Sequence, residues 1–282
     1  MHDRDRGCGA RFVDAHVHIK EISGLEAVVA ADVGAVRDAG TRESTGLSSG
    51  RQGDWKGRPA IVSAGRALCK KGGYGSSFGT PVESAVEVKE EIARLNQAGA
   101  GTIKIMASGI VSLRERGRIA GKGFSADEVH SIVEEAGRCG LPVMAHANGE
   151  EAIIFCAEAG VRSIEHGFFM TARALDVMAR HGTFWTPTVG ALARAAEASG
   201  VGEEIKAYIN ELIRSHLEMI GRAGSVGVPL AIGTDCVLPD LRYQDAYEAE
   251  LAYFGEAGFS REAVESIACD NGERLLGIDQ SS

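Results

Sequence analysis

A repeating order of short apolar segments and longer segments with helical periodicity constrains this chain more than any other feature. Eight short segments rich in β-branched residues are predicted as strands: 12–18, 32–37, 60–64, 102–107, 142–146, 163–165, 183–186 and 230–233. Helical patterns lie between them, at 82–97, 126–138, 150–159, 172–180 and 203–223. Strand–helix units in series form a parallel sheet, and eight of them close into a barrel. We therefore expect an α/β protein, a (β/α)8 TIM barrel, with residues 1–282 as one domain.

Two of these helices carry capping signals at their N-termini. Thr80 precedes Glu83, and Ser125 precedes Glu128, by the three residues that a capping box requires. The two motifs predict that helices begin directly after Thr80 and Ser125.

Composition and charge argue against several classes of protein. The net charge of −9 disfavours binding to nucleic acid or to an anionic membrane surface. The first eleven residues are charged and lack the apolar core of a signal peptide, and no run of about 18 apolar residues predicts a transmembrane helix. The six cysteines form no CxxC pair, so we expect reduced thiols and a cytoplasmic protein.

Polar side chains gather at the ends of the predicted strands, where TIM barrels place catalytic residues. The first strand ends in His16 and His18, which strand alternation places on one face. Strands four, five, six and eight contribute Lys104, His146, His166 and Asp235. One histidine at a strand end is usually structural, but four of the eight histidines at one barrel rim, with an aspartate, indicate a metal site. Histidine and carboxylate ligands suit catalytic zinc or a similar ion.

The order HxH, Lys, His, His, Asp along the strands resembles the amidohydrolase superfamily. The segments 103–109 (IKIMASG), 163–167 (SIEHG), 186–188 (TPT) and 233–235 (GTD) are similar to its branch of prolidases and imidazolonepropionase-related enzymes. The resemblance implies two divalent metal ions, with zinc expected. His16, His18 and Asp235 would bind one ion, and His146 and His166 the other. Lys104, carboxylated by CO2, would bridge them, and burial of a lysine favours the neutral amine that reacts with CO2.

The resemblance also implies a reaction. A hydroxide activated by the metals would attack a carbon–nitrogen bond in an amide, peptide or cyclic amide, with Asp235 as the catalytic base and then acid. A mononuclear deaminase is an alternative, although it would not need Lys104. Hydrolysis of a lactone or a phosphotriester is a further alternative, and a non-catalytic barrel that binds a ligand is the least favoured.

Two features of the predicted loops bear on the substrate, which we expect to be a small molecule. Tyr74 stands where relatives often have a histidine, and we expect it to contact substrate. Arg114 and Arg118 lie in a basic loop after the fourth strand, and arginine binds carboxylates with two hydrogen bonds. An anionic substrate such as an N-acyl amino acid or a dipeptide would fit them, whereas the alternative is a solvated loop.

The expected barrel differs from most relatives in its surroundings. About eleven residues precede the first predicted strand, which leaves no room for the small accessory β-sandwich that relatives carry. The chain is then either a bare barrel or a fragment of a longer protein. For a bare barrel, we expect another subunit, as in a homo-oligomer, or a rearranged N-terminus to cover the exposed surface.

Overall fold

The computed structural model describes residues 12–48 and 58–278. The strands are β1 (Phe12–Ile19), β2 (Val33–Asp38), β3 (Ala60–Ser63), β4 (Leu68–Lys70), β5 (Thr80–Val82), β6 (Ile103–Met106), β7 (Ile110–Val111), β8 (Ile119–Ala120), β9 (Val143–Ala147), β10 (Ser163–His166), β11 (Phe184–Thr186) and β12 (Cys236–Leu238). The α-helices are α1 (Leu25–Ala30), α2 (Thr45–Ser48), α3 (Ala85–Gln97), α4 (Ala126–Arg138), α5 (Glu150–Glu158), α6 (Ala172–His181), α7 (Val189–Glu197), α8 (Glu203–Val226), α9 (Tyr243–Glu256), α10 (Arg261–Ser266) and α11 (Gly272–Leu276).

Two parallel sheets form the wall of the barrel. One has the strand order β12-β1-β2-β3, and the other has the order β11-β10-β9-β6-β4-β5. The sheets meet where the N–H of Gly101 donates to the carbonyl of Ser63, which joins β3 to the start of β6. The helices between successive strands pack their apolar faces on the outside of this wall, as in other α/β folds.

The predicted eighth strand, 230–233, completes the ring. The N–H of Ala231 donates to the carbonyl of Trp185 in β11, and the N–H of Ala15 in β1 donates to the carbonyl of Ile232. The segment is thus bonded on both sides, although it forms an isolated bridge between Leu230 and Trp185 and not a regular strand. The expectation of an α/β fold of the TIM-barrel type is confirmed.

One predicted helix start is wrong. Residues 80–82 form β5, and α3 begins only after Ser84, whose side chain accepts a hydrogen bond from the N–H of Glu87 while Glu87 accepts from the N–H of Ser84. The hydroxyl of Thr80 instead donates to Glu91. The predicted start after Ser125 is confirmed, because the reciprocal bonds between Ser125 and Glu128 are present.

Within the described ranges, β4 and β5 extend one wall sheet past β6, β12 extends the other past β1, and β7 and β8 form a separate antiparallel hairpin. None of these strands forms a β-sandwich. Residues 1–11, on which the expectations about a signal peptide and a covering N-terminus rest, lie outside the described residues. No helix in the described part of the chain is both long and apolar enough to cross a membrane.

Candidate metal centre

The end of β1 and the residues after the 230–233 segment bring three predicted ligands together. Nε2 of His16 lies 3.4 Å from Oδ1 of Asp235, and Nε2 of His18 lies 3.2 Å from the same oxygen. The backbone holds this arrangement, because the N–H of Asp235 donates to the carbonyl of His16 at 2.7 Å. Two imidazole nitrogens and a carboxylate oxygen therefore converge at the rim of the barrel.

The other ring nitrogens of these two histidines are already engaged. Nδ1 of His16 lies 2.7 Å from Oε2 of the buried Glu165, and Nδ1 of His18 lies 2.6 Å from the carbonyl of Gly40. Since carboxylate and carbonyl oxygens only accept, the proton belongs on Nδ1 and the lone pair on Nε2. Hydrogen bonding of this kind orients metal-binding histidines in proteins.

His166 and His146 complete a row of imidazoles across the rim. The ring of His166 lies 5.1 Å from that of His16 and 4.6 Å from that of His146, measured between centroids. One ligand atom from each of His16, His166 and Asp235 lies within 4.8 Å of the others, which is close enough for a shared ion. Nε2 of His146 lies 3.0 Å from the carbonyl of Gly109, so Nδ1 is the nitrogen left for a metal.

Lys104 is buried in β6, with 1% of its surface exposed. Its Nζ finds no hydrogen-bond partner among residues 12–48 and 58–278. Burial lowers the pKa of this amine to about 8, although the nearby carboxylates of Glu165 and Asp235 favour the charged form. A buried amine without a partner is costly, so its presence in the barrel wall calls for a group that the protein alone does not supply.

The electrostatics of the rim favour neutral imidazoles. Burial, with the positive charge of Lys104 adding to it, lowers the pKa of His16 to about 4 and that of His146 to about 3. Burial also lowers the pKa of His166 well below its usual value. His18 is different: burial lowers its pKa, but the hydrogen bond and charge of Asp235 outweigh burial and raise it. Neutral imidazole is the form that binds metals.

Two more buried carboxyl groups, those of Asp14 and Asp38, form hydrogen bonds with residues that position Asp235 and His18. Both oxygens of Asp14 accept hydrogen bonds from Thr234, the residue before Asp235: Oδ1 from its N–H at 3.0 Å and Oδ2 from its hydroxyl at 2.7 Å. Oδ1 of Asp38 accepts from the N–H of Gly40, whose carbonyl holds His18. Our sequence reasoning missed both, although Asp14 shares the β1 face of the histidines and Asp38 ends the next strand.

The backbone is strained where the predicted ligands leave the wall. His166 has φ 66° and Asp235 has φ 54°, a left-handed region that residues other than glycine seldom occupy. Gly233 makes the close approach of strands possible, since a Cβ there would lie 2.3 Å from Cγ2 of Thr186 and 2.8 Å from Cβ of His16. Strained conformations cluster at functional sites because the surrounding structure holds them.

Of the three predicted substrate contacts, Tyr74 lies at the rim, whereas Arg114 and Arg118 lie in an exposed turn. Tyr74 lies at the rim, its ring 4.8 Å from that of His146, and burial with the charge of Asp235 raises its pKa to about 12. Arg114 and Arg118 lie in the turn between β7 and β8, and both are exposed. Arg118 pairs with Glu115 of the same turn. Only Tyr74 of the three has a described contact with the metal centre.

A parallel α/β barrel with histidines and an aspartate converging on its rim defines a metal-dependent hydrolase site. The sequence profile of the amidohydrolase family matches residues 11–282, and the chain belongs to this family. It is accordingly a metal-dependent hydrolase that acts on carbon–nitrogen bonds.

Individual relatives agree with the family assignment. An uncharacterized protein of Mycobacterium tuberculosis is 29% identical, over 94% of this chain and 73% of its own length. The ochratoxinase of Aspergillus niger is 29% identical, over 63% of this chain and 42% of its own length. Among solved structures, a prolidase in complex with N-methylphosphonate-L-proline superposes with a TM-score of 0.80 at 25% identity, over 96% of this chain and 75% of that one.

Proposed function

We propose that the protein is a binuclear amidohydrolase that cleaves an amide or peptide bond in a small, carboxylate-bearing substrate such as a dipeptide or an N-acyl amino acid. The observation that carries the proposal is the buried Nζ of Lys104, which has no hydrogen-bond partner among the described residues, in a wall that also holds four histidines and Asp235. A mononuclear deaminase would have no use for such an amine. If Lys104 were carboxylated, the negative charge of its carbamate would be balanced by two neighbouring cations.

The proposed centre has two divalent ions, for which zinc is the expected metal. His16, His18 and Asp235 would hold one, and His146 and His166 the other, with the carbamate of Lys104 between them. Burial favours the neutral amine of Lys104, which is the form that reacts with CO2. Metals in such sites make water more acidic and polarise a substrate carbonyl.

Asp235 is the residue proposed to move the proton. Burial raises the pKa of Asp235. The charge of His16 and the hydrogen bond from His18 lower it by more than burial raises it, so the pKa lies well below its usual value. It is therefore ionised at neutral pH and able to accept a proton from the attacking water. Returning that proton to the leaving nitrogen completes the cleavage and restores the carboxylate.

Relatives support the substrate class. The prolidase was solved with N-methylphosphonate-L-proline, a derivative of an amino acid. Tyr74 at the rim is proposed to donate a hydrogen bond to substrate, since its raised pKa keeps the phenol protonated. Arg114 and Arg118 are proposed to attract the carboxylate through the solvent.

The test combines metal counting with a substrate panel. The protein is loaded with zinc in bicarbonate buffer, and metal per chain is measured by mass spectrometry. Dipeptides and N-acyl amino acids are then assayed beside their methyl esters. We expect two zinc ions per chain and faster turnover of the free carboxylates. One ion per chain with turnover only of amino-substituted rings would instead indicate a deaminase.

Asp235→Asn tests the proton transfer, with exposed Asp245→Asn as the matched control. We expect the Asp235 variant to lose activity by at least about 100-fold, within the range for general acid–base groups. An Asp235→Asn protein that keeps both ions and full activity would contradict the role of Asp235.

A further inference from the structure

The N-terminus of α7 is joined to the metal centre through one side chain. Oγ1 of Thr188, the residue before α7, lies 2.7 Å from Nδ1 of His166. Thr188 is fully buried, so water does not compete for this contact. When Nδ1–H donates to the hydroxyl, the lone pair of His166 remains on Nε2, where a metal can use it.

Thr188 does not cap its own helix, unlike Thr171 at the start of α6. Thr171 has the extended backbone usual at an N-cap, φ −124° and ψ 163°, and its Oγ1 accepts from the N–H of Ala174 at 3.2 Å. Thr188 has φ 52° and ψ 46°, and its hydroxyl makes no hydrogen bond with the described N–H groups of α7. This left-handed geometry is costly for a β-branched residue. The first N–H groups of α7 therefore need another acceptor.

Glu250 in α9 is that acceptor. It is fully buried, and its two carboxyl oxygens accept hydrogen bonds from the N–H of Val189 at 2.9 Å and of Gly190 at 2.7 Å. These are the first two N–H groups of α7. Glu250 therefore caps the N-terminus of α7 from another helix, in place of the hydroxyl of Thr188.

The same helix reaches the other side of the centre. Nη2 of Arg194 in α7 donates to the carbonyl of Thr234 at 2.7 Å, one residue before Asp235. A shift of α7 would thus move His166, through its contact with Thr188, and Asp235, through the hydrogen bond of Arg194 to Thr234.

We propose that Glu250 is a positioning residue for the metal centre: by capping α7 from α9, it frees the hydroxyl of Thr188 to orient His166. The inference rests on the proposed function in one respect, that His166 binds metal. Without Glu250, Thr188 would relax to the extended conformation seen at Thr171 and cap α7 itself. Its hydroxyl would then leave His166.

The readout is zinc affinity, measured by competition with a chromophoric chelator, and not activity. We expect Glu250→Met, which has no acceptor, to weaken zinc binding at least about 10-fold, as loss of residues that orient metal ligands does. Glu250→Gln keeps one acceptor and should have a smaller effect, which covers the case in which the Met variant fails to fold. Thr188→Val should match Glu250→Met, whereas Thr188→Ser should bind zinc as the wild type does.

The double variant Glu250→Met/Thr188→Val should be no worse than the poorer single variant, because both act through one contact. Ser84→Ala, which removes the cap of α3, is the control that lowers thermal stability without changing zinc affinity. If the Glu250 variants lose only thermal stability and bind zinc like the wild type, or if the two effects add, the inference is overturned. A wild-type chain that binds no zinc would instead overturn the proposed function and this inference with it.

Discussion

The rim of the barrel and the turn between β7 and β8 both carry charged groups, but they hold them in opposite ways. At the rim, Glu165 is fully buried between His16 and Arg37, whose Nη2 donates to it at 2.8 Å. In the turn, Arg118 and Glu115 form a pair in which each side chain is about 60% exposed. Removing one partner of a buried ion pair strongly destabilises the folded protein, whereas an exposed ion pair contributes little to its stability. The rim is therefore fixed by its surroundings, and the turn is not.

The largest expected effect comes from Lys104→Met, which separates function from stability at the rim. We expect the second ion to be lost and kcat/KM to fall more than about 100-fold, as for other essential groups. Because Nζ has no hydrogen-bond partner among residues 12–48 and 58–278, the variant stripped of metal should be at least as stable as the wild type stripped of metal. Metal counting, kinetics and thermal unfolding provide the three measurements. A variant that keeps two ions, or unfolds at a clearly lower temperature, would contradict this account of Lys104.

Glu165→Gln tests the buried side of the comparison. It removes the charge that faces Arg37 and leaves one acceptor oxygen where His16 and Arg37 now use two, so we expect a loss of about 3–5 kcal/mol in the free energy of unfolding. Zinc affinity should also fall about 10- to 100-fold. Both are measured by denaturant titration and chelator competition.

The exposed pair of Arg261 and Glu265 provides the matched control for Glu165→Gln. Glu265→Gln should change the free energy of unfolding by no more than about 0.5 kcal/mol. Equal effects of the two substitutions would remove the distinction between a fixed rim and an exposed surface.

These supports also show how far sequence reasoning reaches. The strand ends at His16, His146 and His166 could be predicted, because alternation and strand–helix order fix which residues face the rim. The capping role of Glu250 could not, because its helix comes from a distant part of the chain and its partners are backbone N–H groups that leave no mark in the sequence. The start of α3 was misplaced because Thr80 and Ser84 both satisfy the same short pattern.

The pH dependence of stability offers a third test of burial. Burial raises the pKa of Glu250 from its ordinary value of 4.5 to about 8. Between these values the unfolded chain has released the proton while the folded one retains it, so the free energy of unfolding should fall as pH rises from about 5 to about 8. The slope for a single proton is at most about 1.4 kcal/mol per pH unit. Denaturant titrations of metal-free wild type and Glu250→Gln should differ by this slope, and parallel curves would contradict it.

The smallest expected effect lies in the turn. Arg114→Ala and Arg118→Ala should each raise KM for a carboxylate substrate about 1.4- to 5-fold, the equivalent of about 0.2–1 kcal/mol for an exposed charge. Added salt should shrink the difference, since solvent-exposed charges are screened within about 10 Å at 0.1 M ionic strength. The methyl ester of the same substrate, and the remote Arg261→Ala variant, should show no change. If KM for the carboxylate substrate is also unchanged, the arginines are a solvated surface, and the selection of an anionic substrate must come from the rim, where Tyr74 is the remaining predicted contact.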